Sequence, residues 1–361
     1  MLYKEGSTGD AVRDIQRRLL AYGATIDESE RARRLFGPST AEAVRGFQQR
    51  RGLISDGLVG EQTWRELVEA SWRLGDRVLY VRSPQMRGDD VRELQQRLSK
   101  LGFDPGRIDG LLGPQTVRAV VEFQRNYGLP PDGIVGAGTI RALVGMPSLG
   151  GDTPVTTLRE REHLRRLPPT LAGLTIVIDP GHGQADPGHI GPAGTHEADI
   201  AFQIARRLEA ALAAAGVAVF LTRDDAATPT DGERGSLANM LSADLYVAIH
   251  TGGSPDPNAG GAAAFYFGND VWESDGGRRF AEAIMERLVS LGFADGRAHA
   301  KTWGVLRETR MPAVQVEPCY VTNPDEEPRL IDPASQRRIA EAIVAAIRSF
   351  AVSPLPSGER A

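Results

Sequence analysis

The segment Gly9-Asp-Ala-Val-Arg-Asp-Ile-Gln-Arg-Arg-Leu19 returns, little changed, as Gly88-Asp-Asp-Val-Arg-Glu-Leu-Gln-Gln-Arg-Leu98. The correspondence resumes downstream, where Phe36-Gly-Pro-Ser-Thr40, Phe47-Gln48 and Asp56-Gly-Leu-Val-Gly60 recur as Leu112-Gly-Pro-Gln-Thr116, Phe123-Gln124 and Asp132-Gly-Ile-Val-Gly136. Such self-similarity marks one structural unit used twice. In each copy Val12, Ile15 and Leu19, or Val91, Leu94 and Leu98, fall at helical spacing on one face, and Gly-Pro and Asp-Gly pairs punctuate the helices. The pattern predicts two small three-helix modules, in which glycines allow tight turns at positive φ and Asp10 or Asp89 caps the helix that follows.

Both copies resemble the peptidoglycan-binding type 1 repeat, through Gly-x-x-Val-x-x-Leu-Gln, Phe-Gly-x-x-Thr, Phe-Gln and Asp-Gly-x-x-Gly. Repeat 2 keeps Asp109-Gly110 ahead of the Phe-Gly position, whereas repeat 1 has the longer, charged Glu28-Ser-Glu-Arg-Ala-Arg-Arg34 there. The departure implies that repeat 1 has lost a glycan groove, and most of the repeated residues read as core and turn.

At 361 residues the chain suits two or three domains. The repeats occupy 1–70 and 84–146, and a Gly- and Pro-rich linker with a mixed-charge run, Leu158-Arg-Glu-Arg-Glu-His-Leu-Arg-Arg166, fills 147–170. That run reads as a short solvated helix. From 171 to 352 apolar strand-like runs (175–178, 217–222, 245–250, 263–267 and 313–316) alternate with helical patterns (198–215, 234–242, 279–291 and 334–350). The alternation predicts an α/β domain with a mostly parallel sheet flanked by helices, whose ligands sit beyond the carboxyl ends of the strands. The segment 353–361 reads as a disordered tail with two serines open to a kinase.

Three predicted strand ends carry polar residues that burial would penalise: Asp179 and His182 after the first, His250 ending Leu245-Tyr-Val-Ala-Ile-His, and Glu317 ending Ala313-Val-Gln-Val-Glu. Glu197 opens the first helix after a Gly-rich loop and faces the same rim. Taken singly, His182 is a loop histidine, Glu197 a helix N-terminal charge and His250 a strand terminus. Together, two imidazoles and a carboxylate form a common hydrolytic zinc set, and Glu317 is the candidate to take a proton from water and return it to a leaving nitrogen.

These residues carry a second resemblance. The segment from about Thr175 to Phe350 resembles the zinc-dependent N-acetylmuramoyl-L-alanine amidases of the amidase type 3 family. Asp179-Pro-Gly-His-Gly183, Gly194-Thr-His-Glu197 and Ala248-Ile-His250 resemble its three zinc motifs, and Pro312-Ala-Val-Gln-Val-Glu317 the strand bearing its catalytic glutamate. The resemblance implies Zn2+ held by His182, Glu197 and His250, Glu317 as general base, and peptidoglycan or muropeptides as substrate. The sequence departs from the family pattern at Gln184, Ala198, Ala248, Thr251-Gly252-Gly253 and Cys319-Tyr320, without deleting a ligand.

His189 and His196 lie close by, but His196 points about 100 degrees from Glu197 if both are helical. His299 is placed near the Trp303-Gly-Val-Leu306 segment, beside a substrate groove or on the surface. Cys319 is either a nucleophile sharing the face of Glu317 or a small buried residue. No Gly-x-Ser-x-Gly supports a serine triad. A net charge of -5 disfavours a polyanionic partner, and no apolar run reaches the roughly 20 residues of a membrane span. The N-terminus lacks the apolar core of a secretory signal, which favours a cytoplasmic location, or the cell wall if another export route exists. The single cysteine excludes an internal disulfide. The arrangement of repeats before the amidase segment also resembles cytoplasmic amidase-like regulators of peptidoglycan synthesis, in which the groove binds a cytoplasmic enzyme or a lipid-linked precursor.

Overall fold

The computed structural model describes residues 2–146, 155–269 and 271–352. The predicted tail and the first third of the predicted linker, 147–154, lie outside them. The chain divides into two compact units, Met1–Arg159 with Asn269–Trp272, and Glu160–Gly268 with Glu273–Ala361.

In the first unit, repeat 1 comprises α1 (Asp10–Ala21), α2 (Glu28–Arg33), α3 (Pro38–Arg50) and α4 (Glu61–Glu69), and repeat 2 comprises α5 (Asp89–Lys100), α6 (Pro114–Asn126) and α7 (Ala137–Gly145). The apolar positions read from the sequence are core: Val12, Ile15, Leu19 and Phe47 pack together in one repeat, Val91, Leu94, Leu98 and Phe123 in the other. Asp10 and Asp89 do not cap their helices. Gly9 and Gly88 occupy the caps, and the aspartates pair instead with Arg34 (2.7 Å) and Arg51 (2.9 Å). Arg51, 2% exposed, also pairs with Glu66 at 2.8 Å, so one buried guanidinium ties the two repeats.

Repeat 2 has the expected three helices, but repeat 1 has a fourth, α2, for a physical reason. Three times in this unit a buried glutamine clamps an Asp-Gly turn. The Gln95 amide donates to Asp109 (2.8 Å), the Leu111 carbonyl (3.1 Å) and Thr116 (3.1 Å), while its oxygen accepts the Gly110 N–H (2.8 Å). Gln48 and Gln124 do the same at Asp56-Gly57 and Asp132-Gly133. Gly110 lies at φ +75°, a conformation that favours glycine. At the fourth equivalent place the turn is missing, and Gln16 Oε1 is buried without a partner among the described residues. The charged insert winds into α2 instead. It delivers Glu30, whose carboxylate accepts the N–H groups of Gly37 (3.2 Å), Ser39 (2.9 Å) and Thr40 (2.9 Å) and the Thr40 hydroxyl (2.7 Å).

The mixed-charge run forms α8 (Val155–Arg166), but it is not merely solvated. Leu164 is buried in the core of the second unit, and Glu160 accepts from the Ser274 hydroxyl and the Asp275 N–H at the start of a later helix. A leucine among charges supplies the apolar anchor that the charge pattern hides.

The second unit runs β1 (Thr175–Pro180), α9 (Glu197–Ala214), β2 (Ala218–Leu221), α10 (Asp231–Met240), β3 (Leu245–Ile249), β4 (Ala262–Phe267), α11 (Asp275–Ser290), β5 (Asp295–Lys301), α12 (Gly304–Glu308), β6 (Ala313–Glu317), α13 (Glu327–Ile331) and α14 (Pro333–Val352). The strand order is β2-β1-β3-β6-β4-β5, parallel throughout except where β4 meets β6. Ile176, Ile178, Val247, Ile249, Val314 and Val316 share a core with apolar residues of α9, α11 and α14. β5, α12 and α13 were not expected from the sequence. Asp-Gly-Arg-Ala-His-Ala-Lys has no apolar run because β5 is an edge strand whose residues alternate between exposed and half-buried. Among the described residues no helix is long and apolar enough to cross a membrane.

Candidate metal centre

Strand order assembles the site. β1, β3 and β6 are neighbours, so the loop after β1, the residue after β3 and the last residue of β6 share one rim. Ile249 pairs with Val316 in parallel register, which puts His250 level with Glu317, and alternation puts both on the same face of the sheet.

His182 leaves β1 at φ +59°, an uncommon conformation for a non-glycine residue. Its Nδ1 lies 2.7 Å from Asp186 Oδ2 and its Nε2 3.2 Å from Glu197 Oε2. Glu197, 1% exposed, is the first residue of α9. Its Oε2 accepts the His189 N–H (3.0 Å), and its Oε1 accepts the Thr251 N–H (2.9 Å) and lies 3.0 Å from His250 Nδ1. One ligand-type atom from each of His182, Glu197 and His250 lies within 4.8 Å of the others. Two close approaches require glycine here: a Cβ on Gly181 would enter the His250 ring, and one on Gly188, already at φ +68°, would stand 2.7 Å from Glu197 Oε2 and His182 Cδ2.

The donor set fits a zinc ion. Metal bonds of roughly 2.0–2.1 Å in tetrahedral geometry separate neighbouring ligand atoms by about 3.3 Å, close to the two imidazole-to-carboxylate distances. Asp186 fixes His182 Nδ1 and leaves Nε2 facing inward, the usual outer support of a ligating histidine. Without a cation, burial opposes charge on the cluster, but the hydrogen bonds and charges of Glu197 and Asp186 hold His182 up at about 9. Burial likewise opposes the Glu197 charge, and the two imidazoles override it, holding the carboxyl far below its ordinary value. The cluster therefore competes for positive charge, as protons or as a metal ion.

Burial pushes Glu317 the other way, to about 8, helped by the Glu197 charge and opposed by Gln315, Lys301 and His182. The Gln315 amide donates to Glu317 Oε1 at 3.1 Å. A carboxyl poised near neutrality suits proton transfer.

The other candidates fall away. His196 is the residue before α9, not within it, 47% exposed and 3.8 Å from Asp199. His189 contributes its backbone to Glu197 and exposes its ring. His299 is exposed and stacks on Phe265. Cys319 is fully buried in the core, which pushes its thiol up to about 12. Sequence reasoning missed Asp186, whose signal was an aspartate four residues after His182 in a Gly-rich loop. It also left Arg223 and Arg234 without a role, and Gln315 unnoticed.

Residues 176–349 match the family described as N-acetylmuramoyl-L-alanine amidase, and residues 8–67 and 87–143 match a peptidoglycan binding domain. The chain is 42% identical over 357 residues to the N-acetylmuramoyl-L-alanine amidase CwlM of Mycobacterium tuberculosis, covering 95% of this chain and 88% of that one. It is 29% identical over 194 residues to the amidase LytC of Bacillus subtilis, covering 54% of this chain and 38% of that one. Among solved structures, the amidase AmiC2 of Nostoc punctiforme is 31% identical, with a TM-score of 0.46 over 50% of this chain and 98% of that one. At that identity and coverage to CwlM, and with both repeats matched, the chain belongs to the N-acetylmuramoyl-L-alanine amidase family.

Proposed function

We propose that the protein is a zinc amidase that cleaves the amide bond between the lactyl group of N-acetylmuramic acid and L-alanine, with its repeats directed to peptidoglycan. The observation that carries this reading is the meeting of the His182, Glu197 and His250 ligand atoms within 4.8 Å on the rim that Glu317 also reaches. His182, Glu197 and His250 would hold the ion. Zinc bound there would polarise the scissile carbonyl and ease deprotonation of the attacking water.

The chain's own residues do the rest. Asp186 holds His182 in the orientation that aims Nε2 into the cradle. Glu317, in its ionised form, accepts a proton from the attacking water as the new C–O bond forms, and delivers it to the alanine nitrogen as the C–N bond breaks. The second water proton passes from the new lactyl carboxylic acid to the amine, so the products are a lactyl carboxylate and a protonated stem-peptide amine, and protons and charge balance. Gln315 keeps the Glu317 carboxylate turned toward the rim through its 3.1 Å hydrogen bond.

The test is release of stem peptides from purified peptidoglycan and from soluble muropeptides, comparing zinc-loaded protein with its Glu317→Ala variant. Release by the unaltered protein alone is expected. No release from either substrate by folded, zinc-loaded protein would sink the reading and turn attention to binding of a protein or lipid-linked precursor.

A further inference from the structure

Beneath the cradle two buried arginines hold the backbone that carries the first ligand. Arg234, in the first turns of α10, is 5% exposed. It pairs with the buried Asp179 carboxylate and donates through Nη1 to the Pro180 carbonyl (2.9 Å), through Nη2 to the His182 carbonyl (2.6 Å) and through Nε to the Pro229 carbonyl (2.9 Å). Arg223, just past β2 and also 5% exposed, donates through Nε to the Pro180 carbonyl (2.8 Å) and through Nη2 to the carbonyls of Gly181 (3.0 Å) and Ala198 (3.0 Å). Three successive carbonyls, 180 to 182, thus end on two guanidinium groups. Arg223 also joins the His182 loop to Ala198, the residue after Glu197.

Packing alone does not explain this arrangement. Two neighbouring guanidinium groups are removed from water beside one buried carboxylate, Asp179, a costly combination that apolar residues would avoid. What guanidinium provides is several N–H donors in a fixed planar fork, able to satisfy consecutive carbonyls that would otherwise be buried without partners. The restrained segment includes His182 at φ +59°, a conformation that persists only where the surroundings enforce it. Relaxation of that backbone would swing the imidazole-bearing Cα and carry Nε2 away from Glu197.

We infer that Arg223 and Arg234 are positioning residues for the metal centre, clamping the 180–182 carbonyls so that His182 is presented to Glu197 and His250 before any ion arrives. This rests on the zinc reading above. Lysine, with one compact ammonium, keeps the charge but cannot span the same carbonyls.

The experiment uses the full chain with Arg234→Lys and Arg223→Lys, and Leu208→Ala as a comparison that removes a fully buried side chain of α9 away from the clamp. Zinc affinity is measured by competition with a chromophoric chelator, the visible spectrum is recorded after cobalt(II) loading, and melting of the metal-free proteins is followed by circular dichroism. The arginine variants are expected to bind zinc about 10- to 100-fold more weakly and to shift the cobalt spectrum. Leu208→Ala is expected to melt at lower temperature while keeping zinc affinity within about threefold of the parent. Unchanged affinity and spectrum in folded Arg234→Lys would overturn the clamp and leave the zinc reading standing. Equal weakening in Leu208→Ala would overturn it too, because the loss would then follow general stability. A parent protein that binds no zinc would remove both readings together.

Discussion

Glu30 and Glu197, one in each unit, are carboxylates buried to 5% and 1% exposure and held below their ordinary pKa. By burial and acidity they are twins, yet their partners differ in kind. Glu30 is ringed by groups that donate to it: three backbone N–H groups, and a threonine hydroxyl whose proton is turned toward it while its oxygen accepts from Gln16. Glu197 has two backbone N–H donors and two imidazole nitrogens, and an imidazole nitrogen offers either a proton or a lone pair. The first shell closes a turn. The second can exchange its protons for a cation. A depressed carboxyl pKa therefore does not separate folding from function here, and the lone pairs around the carboxylate do.

The largest effect expected from this contrast lies at a half-buried acid, Glu317 at the end of β6, which has neither environment. Glu317→Gln keeps shape and burial but cannot accept a proton, so turnover should fall by about 10²- to 10⁴-fold while bound zinc, measured by elemental analysis, stays at the parent level. A rate within tenfold of the parent would remove Glu317 from proton transfer. Next comes Asp186→Ala, which strips the support from a Glu197 partner and has no counterpart around Glu30. Zinc affinity should weaken by about 10- to 100-fold, read by chelator competition, with the fold retained in circular dichroism.

Glu30→Gln sharpens the comparison from the other side. It replaces an all-acceptor group by one whose amide must face backbone N–H donors, and each mismatch costs about 1–3 kcal/mol. Urea unfolding should show repeat 1 destabilised on that scale, and zinc affinity should not move. A change in zinc affinity would break the separation between the two carboxylates.

Much of this was legible in the sequence, for reasons that differ by residue. Ile176 to Ile178, Leu245 to Ile249 and Ala313 to Val316 are apolar runs, so the central strands announce themselves, and the polar residues that end them mark the rim. β5 was hidden because an edge strand needs no apolar face. Asp186, Arg223 and Arg234 were hidden because what they hold is an imidazole nitrogen or a carbonyl, placed by the fold rather than by sequence spacing. The departures at Thr251-Gly252-Gly253 and Cys319-Tyr320 looked unrelated and are one feature. Gly252 and Tyr320 form a parallel bridge, and a Cβ on Gly252 would collide with the Tyr320 ring. The bulkier ring on one segment is accommodated by the missing side chain on the other, a pairing visible only once the two loops meet.

The smallest effect is a difference in sign with pH. Glu30 is held at about 2 in the folded protein against an ordinary 4.5, so the folded state binds its proton less tightly than the unfolded state. Its contribution is fully present above pH 4.5 and is lost as pH falls toward 2. Glu317 runs oppositely in the metal-free protein. With burial raising it to about 8, the folded state holds its proton more tightly, and stability declines as pH rises from 4.5 to 8. Urea titrations of metal-free Glu30→Gln and Glu317→Gln should therefore diverge from the parent in opposite windows. The Glu30 variant is the weaker protein above pH 4.5 and converges on the parent in acid, whereas the Glu317 variant gains on the parent toward pH 8. Zinc should shrink the second difference, because a dication beside Glu317 favours its ionised form. A Glu317 difference that is the same at pH 5 and pH 8 would mean that the carboxylate is not held in the desolvated position the proton transfer requires.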